Sequence, residues 1–400
     1  MIITGHNELQ NFLNGNGDKK PGVIMGYAGF DPTATGLHLG HLSVLRLMER
    51  VVSANHNVWA VIGSETGKVG DPTGRNSMRP IMTDEQVSQN KKGILADIST
   101  VLPSVEILEN EWLANFSLTD AMGVFMRHVP MRKLLSLGLI RDRLGEEGDG
   151  ITLMEALYPL LQAIDMVFLA KRAQKLGADT FIQFGGQDQT GNIGLGIHLV
   201  SRMVPGIQAV GCISPLIVNK NGSKMGKSSG GALFIREELV DNKQFFDTLF
   251  SMDDDLIESA MAILTPDLDV KGLSVIDAKK AFAMNVMQFA RGQGAVEKLL
   301  RANAGSLADL KQATVSNTCD LPDIAVQLGM ASSKSEARRL MKQNGIRFVH
   351  PDDGTQIRPH IEIIDGKPKI NDFQFDRRFE VGEKVIVQKG KKQVVLVTFK

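Results

Sequence analysis

Residues 23–41 constrain the fold more than any other stretch. Val23-Ile24-Met25 opens an apolar run that reads as a buried strand over residues 22–28. A turn rich in Gly, Pro and Thr follows, Gly29-Phe30-Asp31-Pro32-Thr33-Ala34-Thr35-Gly36. From residue 38 to residue 54, Leu42, Leu45 and Val52 are among the apolar positions at helical spacing. A strand, a small-residue turn and a helix start make an α/β unit, which takes its ligand beyond the carboxyl end of the strand. The first-turn N–H groups and the helix dipole are expected to face an anion there. His38 and His41, three apart, point to one side.

The rest of the chain builds on this unit. Val58-Trp59-Ala60-Val61-Ile62 is a second buried strand, running into a Gly-rich loop at residues 63–74. That loop is no Walker A phosphate loop: only three residues separate Gly63 from Gly67, and Val69 stands where Ser or Thr would hold magnesium. Residues 84–150 read mostly as helices, the first capped by Thr83. Residues 152–176 read as one long helix with Leu157, Leu161, Ile164, Phe168 and Leu169 as its core stripe. Thr180–Phe184 is a strand, about 189–203 a helix and 207–218 a last strand. Residues 236–305 are helical, residues 304–316 have a weak pattern, and the tail is rich in strands from residue 345 on.

Two composition facts matter. Lys and Arg balance Asp and Glu at 45 each, yet residues 331–400 hold 15 basic against 9 acidic residues, a local excess that suits a polyanion. Only Cys212 and Cys319 are present, which excludes a disulfide framework and fits a reducing cytoplasm. The N-terminus does not read as a signal peptide, and no apolar run reaches the roughly 20 residues of a membrane span. The chain holds two tyrosines, Tyr27 and Tyr158, against 18 phenylalanines.

Asn221-Gly222-Ser223-Lys224-Met225-Gly226-Lys227-Ser228 puts two ammonium groups three residues apart on a loop. With His38-Leu39-Gly40-His41 it resembles the paired signatures of class I aminoacyl-tRNA synthetases. Gly29-Phe30-Asp31-Pro32-Thr33, Tyr158-Pro159-Leu160-Leu161-Gln162-Ala163-Ile164-Asp165 and Gly185-Gly186-Gln187-Asp188-Gln189-Thr190-Gly191-Asn192 narrow the likeness to the bacterial tyrosyl-tRNA synthetases. It covers nearly the whole chain.

The resemblance implies an α/β fold: a Rossmann-like parallel-sheet catalytic domain over residues 1–235, with a helical dimerisation insertion at about 84–150 and a mobile lysine loop at 221–231. An α-helical anticodon-side domain at 236–305, a linker at 306–321 and a small α+β RNA-binding domain at 322–400 would follow. It also implies roles. Thr33, His38, His41, Lys224, Lys227 and Ser228 would act on the transferring phosphates and ribose. Tyr27 and Asp165 would bind the phenol of tyrosine, and Tyr158, Gln162, Asp71 and Gln183 the rest of that substrate. Gly29, Asp31, Gly40, Asp188, Gln189 and Lys227 would bind ATP, with Gly40 bare so that adenine can lie on the backbone. ATP would enter with Mg2+. No prosthetic group and no protein-bound metal are expected, since the histidine pair has no third ligand nearby in sequence. The partners would be tRNA(Tyr), L-tyrosine, ATP and a second subunit, with no membrane.

The sequence departs from the family at Gln187 and Thr190, where Ser and Trp are usual, and at Ile164, where an aromatic is usual. A paralogue activating a tyrosine analogue, a tryptophanyl enzyme, a non-catalytic RNA-binding protein on this scaffold and an amino-acid activator that has lost tRNA are the alternatives.

Overall fold

The computed structural model describes residues 1–15, 22–73, 82–144, 150–217, 232–304, 311–343, 345–349, 356–357, 363–364, 367–368, 380–389 and 393–400. The chain forms two compact units, Met1–Arg291 and Gly292–Lys400.

The first unit is built on six parallel strands: β1 Ile2–Thr4, β2 Ile24–Phe30, β3 Asn57–Ile62, β4 Glu106–Glu109, β5 Thr180–Gly186 and β6 Gln208–Ser214. Their spatial order is β1-β6-β5-β2-β3-β4. From β2 the chain winds outward to β3 and β4, then crosses back to β5 on the other side of β2. The carboxyl ends of β2 and β5 therefore flank the switch point, where open α/β sheets bind ligands. Tyr27 pairs in register with Trp59 on one side and Gln183 on the other. The central strands are almost wholly buried, as a parallel sheet covered on both faces requires.

Helices α1 Gly5–Asn14, α2 Leu39–Ser53, α3 Thr66–Val69 and α4 Asp84–Val101 follow the early strands. Short helices α5 Leu118–Val124, α6 Met131–Leu135 and α7 Gly138–Leu144 lead to α8 Leu153–Lys175 and α9 Thr190–Met203, which pack on each other. Thr83 and Gln86 cap α4 reciprocally, and Thr152 and Glu155 cap α8 in the same way. After β6 come α10 Asn242–Phe250, α11 Asp254–Leu264 and α12 Val275–Arg291, in the same unit as the sheet.

α8 corrects one sequence reading. Ile164 and Leu169 are buried as expected, but Leu157, Leu161 and Phe168 are only half-buried, while Ala163, Met166, Val167, Ala170 and Ala173 are buried too. The helix is enclosed on most sides, so no single stripe marks its core face. It is also long and apolar enough to cross a membrane by length and composition. Yet 61% of its most apolar window is buried inside the protein, as in a core helix.

Two strands escaped the sequence reading of this unit. β1 is three residues long at the sheet edge. β4 is four residues, Glu-Ile-Leu-Glu, within the stretch read mostly as helices.

The second unit holds α13 Gln293–Ala304, β7 Lys311–Val315, α14 Leu321–Gln327, α15 Lys334–Lys342, β8 Ile346–Val349 and β9 Gln356–Ile357. The ribbon β10 Ile363–Ile364 with β11 Lys367–Pro368 follows, then β12 Lys384–Lys389 and β13 Gln393–Phe399. Five strands form a mixed sheet in the order β7-β13-β12-β8-β9. Ile324, Ala325 and Ala337 from the two short helices pack on Phe348, Val385, Val387 and Val397. β7 lies in the stretch of weak pattern and is held there by parallel pairing with the C-terminal strand.

Candidate active site

A cavity of about 440 Å³ opens at the switch point. β2 and the turn after it contribute Tyr27, Gly29, Asp31 and Thr33, and the start of α2 contributes His38, Gly40 and His41. Asp71 comes from the loop after β3, and Tyr158, Gln162 and Asp165 come from α8. Gln183, Asp188 and Gln189 come from β5 and its turn. All fourteen of these were singled out from the sequence. Lys224, Lys227 and Ser228 lie outside the described residues.

One end of the cavity is built on the histidines. His38 caps α2: its Nδ1 accepts the Gly40 N–H at 3.2 Å, and its own N–H donates to His41 Nδ1 at 3.1 Å. The Leu39 N–H donates to the Leu233 carbonyl at 3.0 Å and the His41 N–H to the His38 carbonyl at 2.8 Å. The first-turn amides expected to face an anion are thus already paired within the protein. The imidazoles take their place. With Nδ1 accepting in both rings, a neutral ring carries its proton on Nε2 and is a donor there. Burial and the neighbouring His38 hold His41 well below the usual histidine value, so it is neutral at physiological pH. The rings lie 4.0 Å apart, centroid to centroid.

A Cβ on Gly40 would come 3.1 Å from His38 Cε1. The bare residue makes room for the histidine ring, a reason the sequence did not suggest. Gly29 does have open space beside it: none of the described residues comes within 4 Å of an added Cβ.

The other end is closed and polar. Among the described residues the buried Tyr27 hydroxyl has no hydrogen-bond partner, and neither has the buried Gln183 Oε1 on the adjacent strand. Asp165, 6% exposed, accepts from Trp112 Nε1 at 2.7 Å and Asn110 Nδ2 at 3.1 Å. Burial pushes its carboxyl up to about 7 despite these two donors. Asn110 also donates to Thr66 Oγ1, which donates to Asp31 at 2.7 Å. The Tyr158 hydroxyl takes the other Asp31 oxygen at 2.7 Å. Burial, Asp31 and Asp71 keep that hydroxyl protonated. Gln189 Nε2 donates to Asp71 at 2.6 Å, and Asn192 donates to both Gln162 and Gln189.

Gly63 and Gly67, after β3, serve packing. A Cβ on Gly63 would lie 2.0 Å from Asp31 Oδ1, and one on Gly67 2.7 Å from Pro32 Cδ. Thr66, Thr73, Asn110 and Trp112 are the site residues that sequence reasoning missed. Asn110 and Trp112 follow directly on β4, the strand lost in the supposed run of helices. None of the three departures from the family, Ile164, Gln187 and Thr190, lines the cavity. Ile164 is in the core, and the exposed Thr190 hydroxyl donates to the Gln187 carbonyl.

The family model "tRNA synthetases class I (W and Y)" matches residues 19–301. A tyrosine–tRNA ligase of Staphylococcus carnosus is 30% identical, over 98% of this chain and 94% of that one. One of Clostridium botulinum is 31% identical, over 86% of each. Among solved structures, a C-terminally truncated mitochondrial tyrosyl-tRNA synthetase of Aspergillus nidulans superposes with a TM-score of 0.58 at 21% identity, covering 68% of this chain and 82% of that one. That of Coccidioides posadasii gives 0.54 at 20%, covering 69% and 82%. These two likenesses show the fold alone.

Proposed function

The chain belongs to the class I tRNA synthetases of the tryptophanyl and tyrosyl group, and we propose roles for its site residues in the tyrosine–tRNA ligase reaction. It is an aminoacyl-tRNA synthetase that joins tyrosine to tRNA at the expense of ATP. One observation carries the assignment of the phenol site: the buried, unpartnered Tyr27 hydroxyl beside the Asp165 carboxylate. A phenol can give its proton to Asp165 and take one from Tyr27. Phenylalanine would leave the Tyr27 hydroxyl buried and unpaired and would give Asp165 no phenol donor beyond Trp112 and Asn110, which such sites reject strongly. The tyrosyl enzymes are themselves the type case of that rule, at about 10⁵-fold, a figure not read from this chain.

In the first step a tyrosine carboxylate oxygen attacks the α-phosphorus of ATP, and the bond to the pyrophosphate oxygen breaks. The nucleophile is already ionised, so the protein's task is to position the reactants and stabilise charge on the phosphates. Nε2–H of His38 and His41, with the Thr33 hydroxyl, are the donors we assign to this, together with Lys224, Lys227 and Ser228. Mg2+ enters on the phosphates of ATP. Gly29, Gly40, Asp31, Asp188 and Gln189 form the nucleotide wall. Asp71, Tyr158, Gln162 and Gln183 surround the amino acid. In the second step the terminal ribose hydroxyl of tRNA attacks the tyrosyl carbonyl and AMP leaves.

A homodimer through the insertion is supported by its uncovered apolar side chains, among them Leu118 (71% exposed), Met131 (67%) and Leu144 (59%). The helices of 236–305 are proposed to face the anticodon side. The basic α+β unit, with Lys334, Arg338 and Arg339 on α15, is proposed to hold RNA. Translation in the cytoplasm is the setting this chemistry serves.

ATP–pyrophosphate exchange with each amino acid, wild type beside Asp165→Ala, tests the reading. Exchange with tyrosine alone, lost in the variant, is expected. Exchange driven by tryptophan or by a tyrosine analogue would overturn the specificity. Absence of any exchange would favour an RNA-binding scaffold.

A further inference from the structure

The turn that carries Thr33 and His38 is gripped from behind, away from the cavity. Asp97 on α4 is 3% exposed. Its Oδ2 accepts the Leu37 N–H at 2.7 Å, and its Oδ1 accepts Arg236 Nε–H at 2.9 Å. Arg236 Nη2 donates to the Thr35 carbonyl at 2.6 Å and reaches Asp97 Oδ2 at 3.3 Å. The backbone adds two bonds. Ile235 N–H donates to the Leu37 carbonyl and Leu39 N–H to the Leu233 carbonyl, each at 3.0 Å, so residues 233–235 run antiparallel to residues 37–39.

The fit is tight enough to require two glycines. A Cβ on Gly36 would lie 2.7 Å from both Arg236 Nη2 and Asp97 Oδ2. One on Gly93 would lie 2.1 Å from the Thr35 carbonyl and 2.3 Å from Arg236 Nη2. Neither Asp97 nor Arg236 lines the cavity.

We propose that Asp97 and Arg236 are positioning residues for the phosphate half of the reaction. A buried carboxylate satisfied by a planar guanidinium and a backbone amide holds one geometry, which a flexible lysine does not reproduce. The pair fixes the backbone at residues 35 and 37, and through it Thr33 on one side and the His38 cap on the other. Tyr27 and Asp165 are set by β2 and α8 and do not depend on the pair. The inference rests on the reading of this cavity as the tyrosine-activation site.

The test uses the full-length protein and compares wild type, Asp97→Asn, Arg236→Gln and Arg236→Lys in two measurements: kcat for ATP–pyrophosphate exchange, and tyrosine Kd in the absence of ATP. Displacing donors by an ångström costs on the order of 10²-fold in rate. The expected result is a fall in kcat of that order for Arg236→Gln, a smaller fall for Arg236→Lys, and an unchanged tyrosine Kd. A second prediction concerns coupling: in a His38→Ala background, Arg236→Gln should add little. Unchanged kcat, tyrosine binding lost in step with exchange, or fully multiplicative loss with His38→Ala would each overturn the proposal. Arg236→Lys keeps the charge opposite Asp97 and carries the test if Arg236→Gln does not fold. Exchange by the wild type with another amino acid would sink the tyrosine reading alone. The same split between kcat and Kd, measured with that amino acid, would still decide the role of the pair.

Discussion

The two ends of the cavity prepare polar atoms in opposite ways. At the histidine end the preparation is complete before anything binds: each Nδ1 is engaged by a backbone amide, and the first-turn N–H groups are paired. At the end proposed to take the phenol it is left unfinished. A hydroxyl and an amide oxygen are buried without partners among the described residues, and a carboxylate is raised to about 7. A transition state on phosphate needs fixed donors that do not reorganise. Discrimination between tyrosine and phenylalanine needs a penalty that only the right substrate removes. One cavity holds both because its ends rest on different elements, α2 and its supports against β2 and α8.

The largest effect that would sharpen this contrast is expected from Asp165→Asn. Both carboxylate oxygens of Asp165 accept, one from Trp112 and one from Asn110. An amide supplies a single acceptor oxygen, so its NH2 must face one of those donors, and the charge proposed to receive the phenol is lost. About 3 kcal/mol is at stake, or roughly 10²-fold in kcat/KM for tyrosine. The wild type should also respond to pH. Asp165 is ionised above about 7, so kcat/KM for tyrosine should fall as pH drops through that value, and the profile of Asp165→Asn should be flat there. Stability of the free protein moves the other way. Because the folded carboxyl lies above its ordinary value of 3.8, its contribution is full below that pH and is lost as pH rises to about 7. Rate profiles and denaturation midpoints across pH 4–8 check both signs.

Trp112→Phe comes next. It removes the 2.7 Å donor to Asp165 while leaving a ring that can still stack on Phe168, now 6.0 Å away at 7°. One bond to a charged group is worth about 1.5 kcal/mol, near tenfold in kcat/KM for tyrosine. The inflection near pH 7 should move upward, since a donor that favours the ionised form is gone. KM for ATP should not change. An unmoved inflection would mean that Trp112 only packs.

How legible this site was depended on how local its signals are. The histidine turn could be read because strand, turn and helix are contiguous. Tyr158, Gln162 and Asp165 could be read because helical spacing puts them on one face. Asn110 and Trp112 could not be read from spacing, because their place is set by β4, four residues that join the sheet only through pairing with β3. One signal was available: Trp112 is one of two tryptophans in the chain and directly follows a Glu-Ile-Leu-Glu-Asn-Glu run. β1 and β7 escaped for the same reason. Their partners lie about 200 and about 85 residues away, at β6 and β13, and no local pattern reports pairing over such separations. The anion site at the start of α2 was misjudged for a different reason. General rules assign the first-turn amides to a ligand, but a histidine at the N-cap can take an amide itself, as His38 does.

The smallest effect is the one most able to break the contrast. Gly40→Ala puts a methyl group 3.1 Å from His38 Cε1 and 3.2 Å from Nδ1, so the ring must give by a few tenths of an ångström. A displaced rotamer costs about 0.5–1.5 kcal/mol, or about two- to tenfold in rate. If the ends are separately supported, the loss belongs to kcat for exchange and KM for ATP, and tyrosine Kd stays at its wild-type value. The fold should not suffer, since Ala is the better helix former and Gly40 faces solvent and the cavity. A shift in tyrosine Kd as large as the shift in ATP KM would mean that displacement at α2 reaches β2 and α8. The cavity would then be a single responsive site, and its two ends could not be tuned apart.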